Sequence, residues 1–122
     1  MNPSVDILVI DDNELQLNYM AELLRSHGYK TDTLQQGAQA LEVIGQIRPK
    51  LIILDIMMPG VDGFTVLKQI RDEQNIKSIP VIIYTGKAYQ VDMKKALALG
   101  ANSFLSKPVK GAVIIEEVKK YL

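Results

Sequence analysis

Three aspartates, a threonine and a lysine stand where short apolar runs stop. Asp11 and Asp12 follow Ile7–Ile10, Asp55 follows Leu51–Leu54, Thr85 follows Val81–Tyr84, and Ser106-Lys107-Pro108 follows Ser103–Leu105. Brought together, they would gather three carboxylates, one hydroxyl and one ammonium. Clustered carboxylates repel unless a cation compensates them. Oxygen donors suit a hard divalent ion, and Mg²⁺ takes one or two carboxylates alongside water or phosphate oxygens. Mn²⁺ accepts the same donor type. Taken singly, each residue has a plainer reading. Asp11 or Asp12 caps the following helix, Asp55 and Thr85 are turn residues, and Lys107 is a solvated charge.

The elements that must position these groups are legible from periodicity. Ile7–Ile10, Leu51–Leu54 and Val81–Tyr84 are continuous apolar runs, which marks central parallel strands buried on both faces. Tyr29–Leu34 (YKTDTL) alternates and carries charge, so it reads as an edge strand. Helical stripes lie between them. Leu17, Met20, Ala21 and Leu24 form one, ended by Gly28; Ala40, Leu41, Ile44 and Ile47 form the next, stopped by Pro49. Val66, Leu67 and Ile70 mark a third, Val91, Lys94, Ala98 and Leu99 a weaker fourth ended by Gly100, and Ile114, Ile115, Val118 and Leu122 a fifth. Five strand–helix repeats predict an α/β fold: a doubly wound, flavodoxin-like five-stranded parallel sheet of order 2-1-3-4-5 with five helices and right-handed crossovers. In such sheets, sites form at the carboxyl ends of the strands where the order reverses. That is where the chemistry-bearing residues fall.

The totals narrow the function classes. A chain of 122 residues, 48% apolar, is expected to be one domain, residues 1–122, with one core. The N-terminal MNPSVDILVIDD has no basic region before its apolar run and two acids just after it, unlike a signal peptide, and no apolar run approaches the length of a membrane span. The chain has no cysteine, which excludes disulfides and thiolate metal sites and is compatible with a reducing cytoplasm. Its formal net charge is zero, which disfavours nucleic acid as a direct partner.

In order and spacing, Asp11-Asp12, Asp55, Met58-Pro59…Asp62-Gly63, Thr85 and Lys107-Pro108 resemble the signature of the receiver domain of two-component response regulators. The resemblance covers essentially the whole chain. It implies a signalling switch rather than an enzyme, one that assists its own phosphorylation and dephosphorylation. It implies that Asp55 accepts a phosphoryl group from a histidine kinase or histidine phosphotransfer protein. It implies that Asp11, Asp12, Asp55 and the backbone carbonyl of Met57 hold Mg²⁺, and that Thr85 and Lys107 contact the phosphoryl oxygens. The Lys107-Pro108 bond is expected to be cis. Phe104 stands where the family carries its switch aromatic, with core packing as its plainer reading. The surface of the fourth helix, fifth strand and fifth helix is the expected output face, and rearrangement of the loop Gly86–Ala88 is the other route for the signal. A downstream protein or a fused output domain would read the change, the domain being a cytoplasmic monomer or a phosphorylation-dependent dimer.

The remaining polar candidates take plain readings. His27, the single histidine, lies near a helix C-terminus, a place that mildly favours a cation, rather than serving as a ligand or phosphodonor. Lys94-Lys95 and Lys119-Lys120 are solvated helix faces. The competing functions are a receiver-like protein-binding module that takes no phosphate, a flavin carrier, and an aspartyl-nucleophile phosphatase. A flavin carrier wants a phosphate-binding loop after the first strand, where this chain has the acidic IDDNELQ. An aspartyl phosphatase places a second aspartate two residues after the nucleophile, where this chain has Met57.

Overall fold

The computed structural model describes residues 4–87 and 89–122. The first three residues of the N-terminal stretch, and Ala88 in the loop Gly86–Ala88, lie outside them. Strands β1 (Ile7–Ile10), β2 (Thr31–Leu34), β3 (Leu51–Leu54), β4 (Val81–Thr85) and β5 (Ser103–Ser106) alternate with helices α1 (Glu14–Ser26), α2 (Ala40–Ile47), α3 (Gly63–Asp72), α4 (Gln90–Ala98) and α5 (Gly111–Lys119). All the pairings are parallel and the order is β2-β1-β3-β4-β5, the expected doubly wound sheet.

Side chains alternate between the faces of a strand, so a strand covered on both sides must be apolar throughout. Leu8, Ile10, Ile52, Leu54, Val81 and Ile83 face the layer that contains α2, α3 and α4. Ile7, Val9, Leu51, Ile53, Ile82 and Tyr84 face α1 and α5. Each fully buried Leu or Ile contributes about 1.5–3 kcal/mol relative to exposure. These strands are therefore rigid mounts for whatever follows them.

Three boundaries or faces depart from the sequence reading. β2 starts at Thr31, not Tyr29, because Tyr29 packs into the α1–α5 layer and the Lys30 N–H is taken by the Asp6 carboxylate at 2.8 Å. By contrast, α2 ends at Ile47 as read, with Arg48 turning left-handed (φ 44°) just before Pro49. Leu122 lies beyond α5 and is exposed. The largest correction is in α4. Its buried residues are Asp92 and Ala96, while Val91 and Lys94 face solvent. A short helix with few large apolar side chains docks through its small residue, and that rotation carries Asp92 inward.

A clamp holds the lower ends of β4 and β5. The Arg71 side chain donates from Nε to the Gly100 carbonyl (3.0 Å), from Nη1 to those of Lys77 (3.0 Å) and Ile79 (2.8 Å), and from Nη2 to Asn102 Oδ1 (2.9 Å). Gly100 has φ +105°, and a Cβ there would lie 2.9 Å from Arg71 Nε, so both torsion and space require glycine. Arg71→Ala would strip these acceptors of a charged donor. The expected loss is about 2–3 kcal/mol in urea denaturation, with little change in slope. A loss under about 0.5 kcal/mol, ordinary for a surface change, would show that the clamp is dispensable.

Candidate functional site

Helix capping at the site falls to other residues. Asn13 caps α1, its side chain accepting from the Gln16 N–H at 3.0 Å, and Asp62 caps α3, accepting from the Thr65 N–H at 2.9 Å. The capping reading of Asp11 and Asp12 is thus displaced. The pattern Asn13-x-x-Gln16 carried that signal.

Asp11 and Asp55 continue their strands: the Asp11 N–H bonds the Leu34 carbonyl at 3.1 Å and the Asp55 N–H bonds that of Ile10 at 3.0 Å. Both side chains are buried, and they are arranged alike. Asp11 Oδ1 accepts from the Asn13 N–H and Asp55 Oδ1 from the Met57 N–H, each at 3.0 Å. Both Oδ2 atoms meet Lys107 Nζ, at 2.6 Å for Asp11 and 3.0 Å for Asp55. Asp12 is exposed, yet Asp11, Asp12 and Asp55 each bring an oxygen within 4.8 Å of the others. Gly63 lets α3 approach: a Cβ there would collide with the Asp55 carbonyl. That glycine serves close approach, whereas Gly60 (φ +76°) serves the turn.

Lys107 is positioned from below and beside. Its N–H bonds the Thr85 carbonyl at 2.8 Å, and its ammonium lies 5.3 Å from the centroid of the Tyr84 ring. The Lys107-Pro108 peptide is cis, as expected. Thr85 is fully buried, and its Oγ1 accepts from the Lys87 N–H at 3.2 Å. Phe104 pairs with Ile83 in register and packs, partly buried, against the α2–α4 layer. Met57, two residues after Asp55, is exposed. His27 lies in the plain setting read for it, exposed beside the end of α1 with Nδ1 3.0 Å from the Leu23 carbonyl.

The charge balance is uneven. Burial alone would lower the Lys107 pKa, but hydrogen bonds and attraction from Asp11 and Asp55 raise it above its ordinary value. Burial pushes Asp11 above the ordinary carboxylate value, and the Lys107 and Asn13 contacts only partly offset this. The two shifts differ in cause: burial dominates at Asp11, whereas at Lys107 the paired carboxylates Asp11 and Asp55 outweigh burial. The donor set fits a hard cation. A separate groove of about 920 Å³ lies at the opposite end of the sheet, lined by Arg25, Tyr29 and Lys30 among others. It is remote from this chemistry.

Comparison with known proteins decides the family. A family model described as the response regulator receiver domain matches residues 7–119. The chain belongs to the response regulator receiver domain family. Among receiver-family relatives, the polar-differentiation response regulator DivK of Brucella anthropi is 34% identical over 116 residues, covering 95% of this chain and 94% of the relative. The chemotaxis protein CheY4 of Vibrio cholerae superposes with a TM-score of 0.91 at 25% identity, covering 98% of this chain and all of that one. The receiver domain of the sensor histidine kinase PA1611 of Pseudomonas aeruginosa, with a magnesium ion coordinated in its active site cleft, superposes with a TM-score of 0.88 at 29% identity, covering 98% of each chain. Within this receiver fold, the residues missed by sequence reasoning are Asn13, Tyr84 beneath Lys107, and the Lys87–Asp92 pair described below.

Proposed function

We propose that this receiver domain, residues 1–122, is a phospho-accepting switch with Asp55 as the acceptor. The supporting observation is the buried Asp55 carboxylate: one oxygen is anchored to the Met57 N–H, and the other is held by Lys107 beside two more carboxylates. In this reading a histidine kinase or phosphotransfer protein presents a phosphohistidine. An Asp55 oxygen bonds to phosphorus, the P–N bond breaks, and its electron pair leaves with the imidazole. Water later cleaves the acyl phosphate and regenerates Asp55. Asp11, Asp12, Asp55 and the Met57 carbonyl would hold Mg²⁺, which when bound offsets the repulsion between carboxylate and phosphoryl. Lys107 supplies a second fixed positive charge, and the Thr85 hydroxyl turns to the new phosphoryl oxygens.

The output is a change of shape. When Thr85 turns, Phe104 moves toward the space beneath the β4–α4 loop, and the face of α4, β5 and α5 repacks to alter partner binding. The domain works in the cytoplasm in this reading. The test is a mass gain of one phosphoryl after incubation with acetyl phosphate and Mg²⁺. No gain under conditions that keep the chain folded would remove the proposal.

The metal half has its own expected outcome. At a Mg²⁺ concentration of about 100 times the dissociation constant, linkage stabilises the fold by about 2.7 kcal/mol. Thermal melts of the wild type should rise accordingly, and those of Asp12→Ala far less. Equal rises would take Asp12 out of the site.

A further inference from the structure

The rotation of α4 leaves one buried charge outside the carboxylate site. Asp92, in the first turn of α4, is 6% exposed. Its Oδ1 lies 3.6 Å from Lys87 Nζ, and its Oδ2 is buried without a hydrogen-bond partner among the described residues. Lys87 is the residue whose backbone N–H holds the Thr85 hydroxyl. One residue therefore joins Thr85, through its main chain, to the start of α4, through its side chain. Lys87 also lines, with Met57 and Phe64, a groove of about 470 Å³ bordering the loop that follows Asp55. Its half-exposed side chain lies along this groove, past the end of β4 and so on the same edge of the sheet as Asp55, which follows the neighbouring β3.

We propose that the Lys87–Asp92 ion pair is a latch that favours the unphosphorylated conformation. This rests on the phosphoacceptor reading of Asp55. As the Thr85 hydroxyl turns to a phosphoryl oxygen, the Lys87 N–H loses its acceptor and the loop is released. The phosphoryl oxygens compete with Asp92 for the Lys87 ammonium. A buried carboxylate deprived of its cation is unfavourable, so departure of Lys87 opposes activation until the start of α4 shifts and lets water reach Asp92. An ordinary exposed ion pair has little effect on stability. This one matters through the difference it makes between two states.

The test uses beryllium fluoride with Mg²⁺ as a stand-in for the phosphoryl group, titrated into the full chain and followed by backbone NMR. Asp92→Asn keeps the shape, removes the charge and frees Lys87, so beryllium fluoride should bind about fivefold tighter or more. In a Lys87→Met background the same Asp92→Asn change should alter the affinity by less than about twofold, because the pair acts as a unit. Lys87→Gln is the second background should Lys87→Met fail to fold with Asp92 unpaired. A merely structural pair would move the melting temperature and leave the affinity alone. Unchanged or weaker binding in Asp92→Asn, or an equal gain in both backgrounds, would overturn the latch. A wild-type chain that does not respond to beryllium fluoride would sink the phosphoacceptor reading and the latch with it. A normal wild-type response with no effect of Asp92→Asn removes the latch alone.

Discussion

Asp55→Asn is expected to abolish phosphoryl uptake from acetyl phosphate, a loss of at least about 100-fold in labelling rate. The substitution keeps the volume of the side chain and an oxygen for the Met57 N–H. It replaces the carboxylate oxygen beside Lys107 with an amide group that is a poor nucleophile. Asp11 is the natural rival, since it is equally buried and also touches Lys107. Asp55, however, stands just past the central strand β3, between β1 and β4, with the groove-lining Met57 two residues on. Mass spectrometry should show one added phosphoryl in the wild type with Mg²⁺ and none in the variant. Labelling of Asp55→Asn to the wild-type level would move the acceptor elsewhere, with Asp11 first in line.

The second large effect is on stability. Lys107→Ala removes the ammonium from two buried carboxylates, and breaking such a pair costs about 3–5 kcal/mol. We expect the low end, about 3 kcal/mol at neutral pH without Mg²⁺, because Asp11 and Asp55 keep their Asn13 and Met57 N–H donors. The Lys107 pKa is raised in the folded state. Its contribution is therefore present below its ordinary value near 10.5 and is lost as pH rises through the raised value. The variant should lack that alkaline loss. Asp11 runs the other way: its raised pKa means that stability falls as pH rises from 3.8 through the folded value. Without Lys107 that window should widen, so acid should narrow the gap between variant and wild type. Since lysine and metal share the same oxygens, Mg²⁺ should stabilise the variant more than the wild type. Urea melts at several pH values, with and without Mg²⁺, check all three. A wild-type response to Mg²⁺ in the variant would show that the two cations use separate oxygens.

The sheet and the carboxylate cluster were legible because their signals are local and strong. Runs such as LIIL declare two-sided burial, and the rule for parallel sheets then gathers their end residues without further information. What escaped depends on orientation. Whether Asp11, Asp12 or Asn13 caps α1 is a choice among adjacent residues with the same propensity, settled by which one turns toward Gln16. The face of α4 was misread because no stripe of large apolar residues selects a rotation, and because burying Asp92 runs against the usual preference of carboxylates for water. The seat of Lys107 on Tyr84 is a contact across the end of the sheet that no spacing encodes.

The Arg71 clamp bears on how a change at Asp55 can travel. It grips the Gly100 carbonyl just past the last turn of α4, and it grips the segment leading into β4. In the proposed switch the far end of the helix would thereby act as a fulcrum, and its near end at Gln90, tied to the loop through the Lys87–Asp92 pair, would be the moving end of a lever. A nine-residue helix is about 13 Å long, so pivoting by about 10° would carry the near end roughly 2 Å. Motion of this kind would be greatest at Tyr89 and Val91, both 71% exposed, and would fade toward Leu97. The surface most altered by the switch would be that first exposed turn rather than the helix as a whole.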